Sequence, residues 1–334
     1  MTLVRIAKNW SDPDLLRQTP GRWGTWAGVR FTLDPVERCD YLVVLNYVEE
    51  PFAVECAAEH AWALIQEPPL RLYQAMHAQT APYARVYTQT APAAGEQVGA
   101  TLRLPSQPAL PWHVERDYDE LVGMEPPEKT RPLSVVSSTL AALPGHRARL
   151  RFLAQLRGLP ELDAFGRGIR PLADKWDGLA PYRYSLAIEN TLTPNYWSEK
   201  LADCFLAWTL PLYAGCPNLE EYFPAESFVR IDLDDPDAPR QVAEIARSDL
   251  WKQRREAVAE ARRLVLERHQ LFPFLAGEIA RHEAECAHPA PERIVVPGRL
   301  PTPLLLRPLA SAPVRRTLAR LVSRAYGLWL RARR

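Results

Sequence analysis

The chain has 334 residues, of which 47% are apolar and 24% are charged, and its formal net charge is +1. This length is sufficient for two domains of ordinary size, and the composition excludes a disordered or collagen-like chain. A net charge so close to zero does not by itself indicate a polyanionic partner such as nucleic acid.

The charge is unevenly distributed along the chain. No acidic residue follows Glu292, whereas ten arginines lie between Arg293 and Arg334, so residues 1–292 carry −9 and the remainder carries +10. Apolar residues at helical spacing lie among these arginines from Val314 to Trp329. Such a basic amphipathic helix can lie on an anionic membrane surface, or it can pack on the body of the protein, and the sequence leaves both possibilities open.

Cysteine usage and hydropathy bear on the compartment. The five cysteines are scattered without a CxxC spacing, which suits free thiols in a reducing compartment. No apolar segment of adequate length for a signal peptide begins the chain, and no run of 18 apolar residues occurs. We expect a cytoplasmic, bacterial protein, with contact between residues 314–334 and the inner face of the cytoplasmic membrane as an open alternative.

The first part of the chain has the pattern of an α/β domain. Short apolar runs, typical of buried parallel strands, predict strands at Leu3 to Ala7, Tyr41 to Leu45, Ala61 to Ile65 and Ala84 to Tyr87. The segment 105–132 that follows is rich in proline and polar residues, which indicates a connection between domains.

A second α/β pattern follows this connection. Strands are predicted at Leu133 to Ser137 and Leu162 to Phe165, with a helix carrying Leu150, Leu153 and Leu156 between them. We therefore predict an N-terminal domain over residues 1–127, a second domain over 128–290 and a basic tail over 291–334.

The segment 182–218 is the most informative part of the chain. A predicted strand, Tyr184 to Ile188, ends at Glu189-Asn190, and Ser198 is a good N-cap for the helix that follows. The apolar face of that helix is predicted from the spacing of Leu201, Cys204, Phe205 and Trp208. A strand at Leu210 to Tyr213 completes a right-handed parallel unit.

Ligands bind at the carboxyl ends of strands in such units. The residues that fall on this rim are Glu189, Asn190, Tyr196, Glu199 and Lys200. A Glu-Lys pair at the start of a helix is usually a solvated surface pair. However, only five of the 41 basic residues are lysines, so a chain that otherwise prefers arginine keeps lysine at position 200.

This segment resembles the donor site of glycosyltransferase family 10, the α-1,3/1,4-fucosyltransferases. The family pattern is FxxxxEN, a short loop, Y-[VI]-T-E-K, a helix and a P-[IL]-x-x-G-x-P strand, and this chain has YRYSLAIEN, YWSEK and LPLYAGCPN. It departs from the pattern at Tyr184, Trp197 and Ser198.

The preceding block is similar to the family as well. The matching positions are Lys129, Ser134 to Ser138, Arg149 and Asp163 to Gly166. Ser138 stands where the family often has Asn. Arg149 matches an arginine that contacts the donor phosphates in the family, although Arg147 and Arg151 are close alternatives.

The resemblance implies a fold of the GT-B type, an α/β architecture of two Rossmann-like domains facing across a cleft. It implies an inverting transfer of L-fucose from GDP-fucose to a hydroxyl of a glycan acceptor, here expected to be a GlcNAc-containing bacterial surface polysaccharide. Glu189 and Asn190 belong to the donor site, Glu199 is expected to bind the ribose, Lys200 the diphosphate, and Tyr196 to pack in the donor pocket. No cofactor is required beyond the donor substrate.

The general base is expected in the first domain. Glu67 follows the predicted strand Ala61 to Ile65, and Pro68 biases it to an extended conformation. Family members carry a base glutamate after a comparable strand, and IQEPP resembles that place. Glu49 and Glu50, which follow the preceding strand, are the alternatives.

No metal site is predicted. The cluster of aspartates from Asp232 to Asp237 is interpreted as the cap of the helix that begins near Arg240, and His282 with Cys286 lacks further ligands. Two other functions stay open: a non-catalytic or re-purposed protein that binds a nucleotide sugar, and a transferase for another nucleotide sugar.

Overall fold

The fold was determined from a computed structural model that describes residues 1–11, 13–285 and 289–298. The predicted tail helix over residues 314–334 and Cys286 lie outside the described residues. None of the helices in the described part of the chain has both the length and the apolar character that a membrane span requires.

The strands are numbered in chain order. They are β1 (Thr2–Lys8), β2 (Thr25–Trp26), β3 (Val29–Thr32), β4 (Tyr41–Leu45), β5 (Phe52–Cys56), β6 (Ala61–Leu64), β7 (Arg85–Thr88), β8 (Glu96–Val98), β9 (Thr101–Pro105), β10 (Arg131–Val136), β11 (Leu162–Phe165), β12 (Tyr182–Ile188), β13 (Leu210–Ala214), β14 (Val229–Arg230) and β15 (Glu292–Val296).

The α-helices are numbered in the same way. They are α1 (Gln74–His77), α2 (Tyr118–Gly123), α3 (Pro144–Gln155), α4 (Glu199–Leu206), α5 (Ala238–Ala246), α6 (Leu250–Gln253), α7 (Arg255–Leu264) and α8 (Leu271–Glu285). A π-helical turn, Val265–His269, connects α7 to the segment that enters α8.

Two separate parallel sheets form the framework. Among the described residues, the first has the order β2-β3-β1-β4-β6-β7-β9-β8 and the second has the order β11-β10-β12-β13-β14. The second is parallel throughout, whereas β2 and β8 pair antiparallel at the two edges of the first. The predicted α/β architecture of GT-B type, with two Rossmann-like domains, is confirmed.

The first sheet is covered on both faces. Leu271, Phe272, Leu275 and Ile279 of α8 pack with β1, β4 and β6 on one face. On the other face, β15 pairs antiparallel with β5, and both strands contribute to a smaller apolar cluster. Residues 271–285 therefore pack on the first sheet, although the sequence analysis assigned residues 128–290 to the second domain.

The second sheet has a core of its own. Its centre is formed by Leu186 on β12, Leu212 on β13, Phe205 on α4 and Val242 on α5. Trp112 from the proline-rich connection is buried in the same core. The connection is thus anchored on the second domain rather than free between the two domains.

Lys129 fastens the end of this connection. Its Nζ donates hydrogen bonds to the carbonyl oxygens of Ala180 and Ala207, both at 2.7 Å, and to Oγ1 of Thr209 at 3.0 Å. Burial lowers the pKa of Lys129 to about 7. This lysine therefore holds the chain at the entry to β10 and lies on the edge opposite the carboxyl ends of the strands.

Three predictions about local structure were wrong in part. Trp208 is not on α4, because the helix ends at Leu206 and the backbone reverses at Trp208 with φ of 58°. The apolar run SFVRI, Ser227 to Ile231, also predicts a strand, but the strand is limited to Val229–Arg230 because a 3-10 turn occupies Ala225–Ser227. α5 begins at Ala238, and Asp237 makes no capping hydrogen bond.

Candidate functional site

The candidate site lies where β12 and α4 meet, at the carboxyl edge of the second sheet. Glu189 directly follows β12, and its carboxylate accepts hydrogen bonds from the backbone N–H and from Oγ of Ser198, each at 2.8 Å. Both residues are buried. These hydrogen bonds fix the N-terminus of α4. Position 215 needs a glycine, because a Cβ there would lie 2.6 Å from Cγ of Glu189.

Glu199 and Lys200 form an ion pair in the first turn of α4. Nζ of Lys200 lies 3.2 Å from Oε1 of Glu199 and 3.5 Å from Oε2 of Glu189. Burial alone would raise the pKa of Glu199, but the charges of Lys200 and Lys175 hold that pKa well below its ordinary value. Glu199 is therefore an anion and Lys200 a cation at neutral pH.

Lys175 also contacts the first turn of α4, and the sequence analysis gave it no role. Its Nζ donates to Oδ2 of Asp203 at 2.6 Å and to the backbone oxygen of Glu199 at 3.3 Å. Asp203 has no exposed side-chain area. The rarity of lysine in this chain, which drew attention to Lys200, could have pointed to Lys175 by the same reasoning.

Arg149 is the arginine of α3 that reaches the site. It is buried, and its guanidinium donates to Oδ1 of Asn190 at 2.9 Å and to the backbone oxygen of Ser138 at 3.4 Å. Its Nε has no hydrogen-bond partner among the described residues. Of the two alternatives, Arg147 donates to backbone oxygens of its own loop and Arg151 is exposed.

The start of α3 is pressed against Asn190. A Cβ at Gly145 would lie 1.9 Å from the backbone oxygen of Asn190, so only glycine permits this approach. His146 on the next position is buried, and burial together with the charges of Arg149 and Lys200 lowers its pKa to about 4. His146 is therefore neutral near Arg149 and Lys200, and the sequence analysis missed it.

Glu67 of the first domain faces this cluster. Burial raises the pKa of Glu67, a hydrogen bond with Tyr73 lowers it, and the charges of Glu199 and Lys200 also act on it. These charges act between the two domains: Glu67 follows β6 of the first sheet, whereas Glu199 and Lys200 begin α4 of the second domain. The carboxyl ends of β6 and β12 therefore lie near each other.

Tyr196 lies near the carboxylates of both domains, Glu67 on one side and Glu189 with Glu199 on the other. It is buried, and its hydroxyl pKa is raised well above the ordinary value by burial and by Glu189, Glu199 and Glu67. The structure thus brings together all the residues predicted for the site: Glu67, Arg149, Glu189, Asn190, Tyr196, Glu199 and Lys200.

The loop that carries Glu67 is held in place by polar contacts. Asn46 adopts φ of 62°, and its Oδ1 accepts from the backbone N–H of Gln66 at 2.7 Å and of Glu67 at 3.3 Å. The backbone oxygen of Glu67 is 3.1 Å from Nε2 of His77. An Asn directly after a strand is a signal for such a turn, and the sequence analysis did not use it.

The two alternative bases are placed differently from Glu67. Glu49 and Glu50 are both exposed, and Glu49 accepts a hydrogen bond from the hydroxyl of Tyr47 at 3.2 Å. Glu67 is instead half-buried, and burial raises its pKa, as suits a general base.

Within residues 1–11, 13–285 and 289–298, no group of three or more potential ligand side chains is placed to hold a metal ion. The aspartate cluster instead stabilises a turn: Asp232 and Asp235 accept backbone hydrogen bonds from Asp234 and Asp237, at 3.0 and 2.8 Å. This differs in detail from the helix cap that was predicted.

The arrangement is suited to an anionic ligand with a hydroxyl-bearing group. Lys200 and Arg149 converge near the start of α4, where backbone N–H groups also favour an anion. Glu199 offers a carboxylate that can accept from a diol. Glu67 offers, from the opposite wall, a carboxylate whose raised pKa suits proton transfer.

Comparison with known proteins agrees with the motif resemblance. Residues 126–248 match the family described as glycosyltransferase family 10 (fucosyltransferase) C-term. The human 4-galactosyl-N-acetylglucosaminide 3-alpha-L-fucosyltransferase FUT6 is 33% identical over 101 residues, which cover 29% of this chain and 28% of that protein. The human 3-galactosyl-N-acetylglucosaminide 4-alpha-L-fucosyltransferase FUT3 is also 33% identical over 101 residues, covering 29% and 27%.

The aligned region spans under a third of the length of these curated relatives. Among solved structures, a crystal structure of an α1,3-fucosyltransferase superimposes with a TM-score of 0.46 and 14% identity, covering 76% of this chain and 81% of that one. A crystal structure of an α1,3-fucosyltransferase with GDP-fucose superimposes with a TM-score of 0.39 and 16% identity, covering 81% and 92%.

Proposed function

We propose that this chain, whose residues 126–248 belong to glycosyltransferase family 10, transfers L-fucose from GDP-fucose to a hydroxyl group of a glycan. The observation that supports the proposal is that Glu67 of the first domain is close enough to Glu199 and Lys200 of the second domain for their charges to act on its carboxyl group. A donor site on one domain and a half-buried carboxylate on the other can serve sugar transfer between two substrates.

The donor is held by the second domain in this proposal. Lys200 and Arg149 bind the diphosphate, and the N-terminus of α4 contributes backbone N–H groups. Glu199 accepts hydrogen bonds from the ribose diol. Glu189 does not contact the donor in this proposal. Its carboxylate accepts hydrogen bonds from Ser198 and thereby fixes the start of α4. Tyr196 forms the floor between the donor and Glu67.

The proposed reaction is inverting. Glu67 takes the proton from the acceptor hydroxyl, whose oxygen attacks the anomeric carbon of fucose from the face opposite GDP. The bond between that carbon and the diphosphate oxygen breaks, and GDP leaves with the electron pair. Lys200 and Arg149 stabilise the negative charge that develops on GDP, which is where stabilisation accelerates the reaction.

The acceptor class is proposed from the relatives. FUT6 and FUT3 are named as enzymes that act on galactosyl-N-acetylglucosaminides. We therefore propose a GlcNAc-containing glycan, such as a bacterial surface polysaccharide, as the acceptor of this chain.

The proposal is tested by mixing the full chain with GDP-fucose and a panel of GlcNAc-containing acceptors and measuring GDP release. We expect release that depends on both an acceptor and GDP-fucose. Tight binding of GDP without acceptor-dependent release would instead favour a non-catalytic nucleotide-sugar-binding protein, and release from a different GDP-sugar alone would change the donor.

A membrane-facing role for the tail is a separate proposal that rests on sequence. Residues 314–334 combine helical apolar spacing with arginines, as surface-bound amphipathic helices do. Co-sedimentation with anionic vesicles should be seen for the full chain and be lost on truncation after Pro313. Equal failure of both to sediment would remove the proposal.

A further inference from the structure

A second cavity lies in the second domain, away from the donor site. Its volume is about 430 Å³, within the range that is usual for small-molecule sites. Arg183 at the beginning of β12 and Leu210 at the beginning of β13 line it, together with the connection around Pro126. Glu189 follows the opposite end of β12, so at about 3.3 Å per residue the two sites are roughly 20 Å apart.

Two tryptophans whose indole N–H groups are unpaired among the described residues line this cavity, and one of them has an unusual backbone conformation. Trp208 has φ of 58°, in the left-handed region that normally selects glycine after a helix. Trp251 on α6 lines the cavity as well. Nε1 of both residues is buried and has no hydrogen-bond partner within the described part of the chain. The two residues are therefore exceptions to the rule that buried indole N–H groups find a partner.

The charged side chains around the cavity are mainly cationic. Arg183, Lys252 and Arg255 line it, and the carboxylate among the lining residues is that of Glu128. Asp249, near the rim, pairs with Lys252 at 3.0 Å. Nε of Arg183 is a third buried donor without a partner in the described chain.

The cations are arranged around one indole ring. The Arg183 guanidinium lies 5.9 Å from the Trp251 ring centroid, and Nζ of Lys252 lies 5.7 Å from it. An aromatic face beside cationic donors therefore forms one wall of the cavity.

We propose that this cavity binds an acidic saccharide, that is, a sugar unit that carries a carboxylate or a phosphate group. The indole rings offer apolar surface for the C–H face of a sugar ring. Arg183, Lys252 and Arg255 provide the positive charge for the acidic group. An excess of donors over acceptors excludes a cationic ligand.

The test measures binding to the full chain by saturation-transfer NMR, with and without saturating GDP to occupy the donor site. The probes are D-glucuronate, glucose 6-phosphate, D-glucose and inorganic phosphate. We expect glucuronate, glucose 6-phosphate or both to bind in the presence of GDP, and to bind at least about tenfold more tightly than glucose and than inorganic phosphate. The first two probes distinguish a carboxylate ligand from a phosphate ligand.

Variants place the binding in this cavity. Arg255→Ala alters an exposed side chain and should weaken binding roughly three- to tenfold through the loss of one charge-assisted contact. Trp251→Phe keeps an aromatic ring but reduces its apolar surface and should weaken binding as well. Arg30→Ala and Trp23→Phe alter exposed residues of the same types in the first domain and should change nothing.

Three results would overturn the proposal. The first is the absence of binding by both acidic sugars. The second is binding of glucose or of inorganic phosphate as tight as that of the acidic sugars, since the site would then recognise only one half of the ligand. The third is unchanged binding in both Arg255→Ala and Trp251→Phe, which would place the ligand elsewhere.

Discussion

Nζ of Lys175 donates a 2.6 Å hydrogen bond to a carboxylate oxygen of Asp203, whose side chain has no exposed area. The other oxygen of Asp203 accepts from the backbone N–H of His113, at 3.0 Å. This buried pair therefore joins the 3-10 turn Lys175–Gly178, helix α4 and the interdomain connection. It fixes the helix whose first turn carries Glu199 and Lys200.

Lys175→Met should destabilise the protein strongly, because the charge of Asp203 would be left buried without its partner. We expect a loss of about 3–5 kcal/mol in the free energy of unfolding, measured by denaturant titration. Arg240→Ala removes an exposed cation from the ion pairs with Asp237 and Glu244 and is the matched control, with little change expected. A Lys175→Met protein as stable as the control would show that the pair is not structural.

Lys200 and Arg149 should each contribute to GDP affinity. Removal of one charge-assisted contact to a phosphate costs about 1.5–3 kcal/mol, so Lys200→Ala and Arg149→Ala should each weaken GDP binding roughly ten- to hundredfold in calorimetry. Arg151→Ala, an exposed arginine on the same helix as Arg149, is the control and should bind GDP normally. Normal GDP binding by both Lys200→Ala and Arg149→Ala would contradict the assignment of the diphosphate site.

Glu67→Gln should separate catalysis from donor binding. A general base contributes about 10²–10⁴-fold to the rate, so turnover should fall by that factor while GDP affinity stays nearly constant. Glu50→Gln, an exposed glutamate of the first domain, should retain the wild-type rate. If Glu67→Gln is as active as the wild type, the base is elsewhere and Glu49 is the next candidate.

The pH dependence of the reaction should report on Glu67. The base must be deprotonated, so kcat/KM should fall as the pH drops through the pKa of Glu67, and burial places this pKa above the ordinary glutamate value of about 4.3. Tyr73 lowers that pKa by a hydrogen bond. Tyr73→Phe should therefore move the acid limb of the kcat/KM profile to higher pH while GDP affinity is kept. Superimposable profiles would show that Tyr73 does not act on the catalytic group.

Turnover should not depend on a bound metal ion. Lys200 and Arg149 already provide positive charge for the diphosphate, and the Asp232 and Asp235 carboxylates are engaged with their own turn. Activity measured after treatment with EDTA should match that of untreated protein. Activity that EDTA abolishes and manganese restores would contradict this expectation.

The elements around the donor site could be predicted because their signals are local. The apolar run that ends at Ile188, the N-cap at Ser198 and the strand Leu162–Phe165 are all defined by neighbouring residues, and the structure has them at the predicted places. Seven residues of the candidate site were predicted from such signals and from the motif resemblance, whereas Lys175 and His146 were missed.

The rest depended on contacts between distant parts of the chain. The apolar face of α8 does not indicate which sheet it covers, and the structure packs it on the first. Asn46 and Tyr73 act on the loop and carboxylate of Glu67 through hydrogen bonds that no local pattern contains. The reversed backbone at Trp208 could not be predicted, because a tryptophan there replaces the usual glycine signal.

The most direct measurement is mass-spectrometric detection of fucose on a glycan acceptor after incubation with GDP-fucose. The account predicts a product one deoxyhexose heavier with the wild-type chain, strongly reduced with Glu67→Gln and with Lys200→Ala, and of inverted anomeric configuration by NMR. A wild-type chain that binds GDP-fucose but yields no fucosylated product with any GlcNAc-containing acceptor would contradict it.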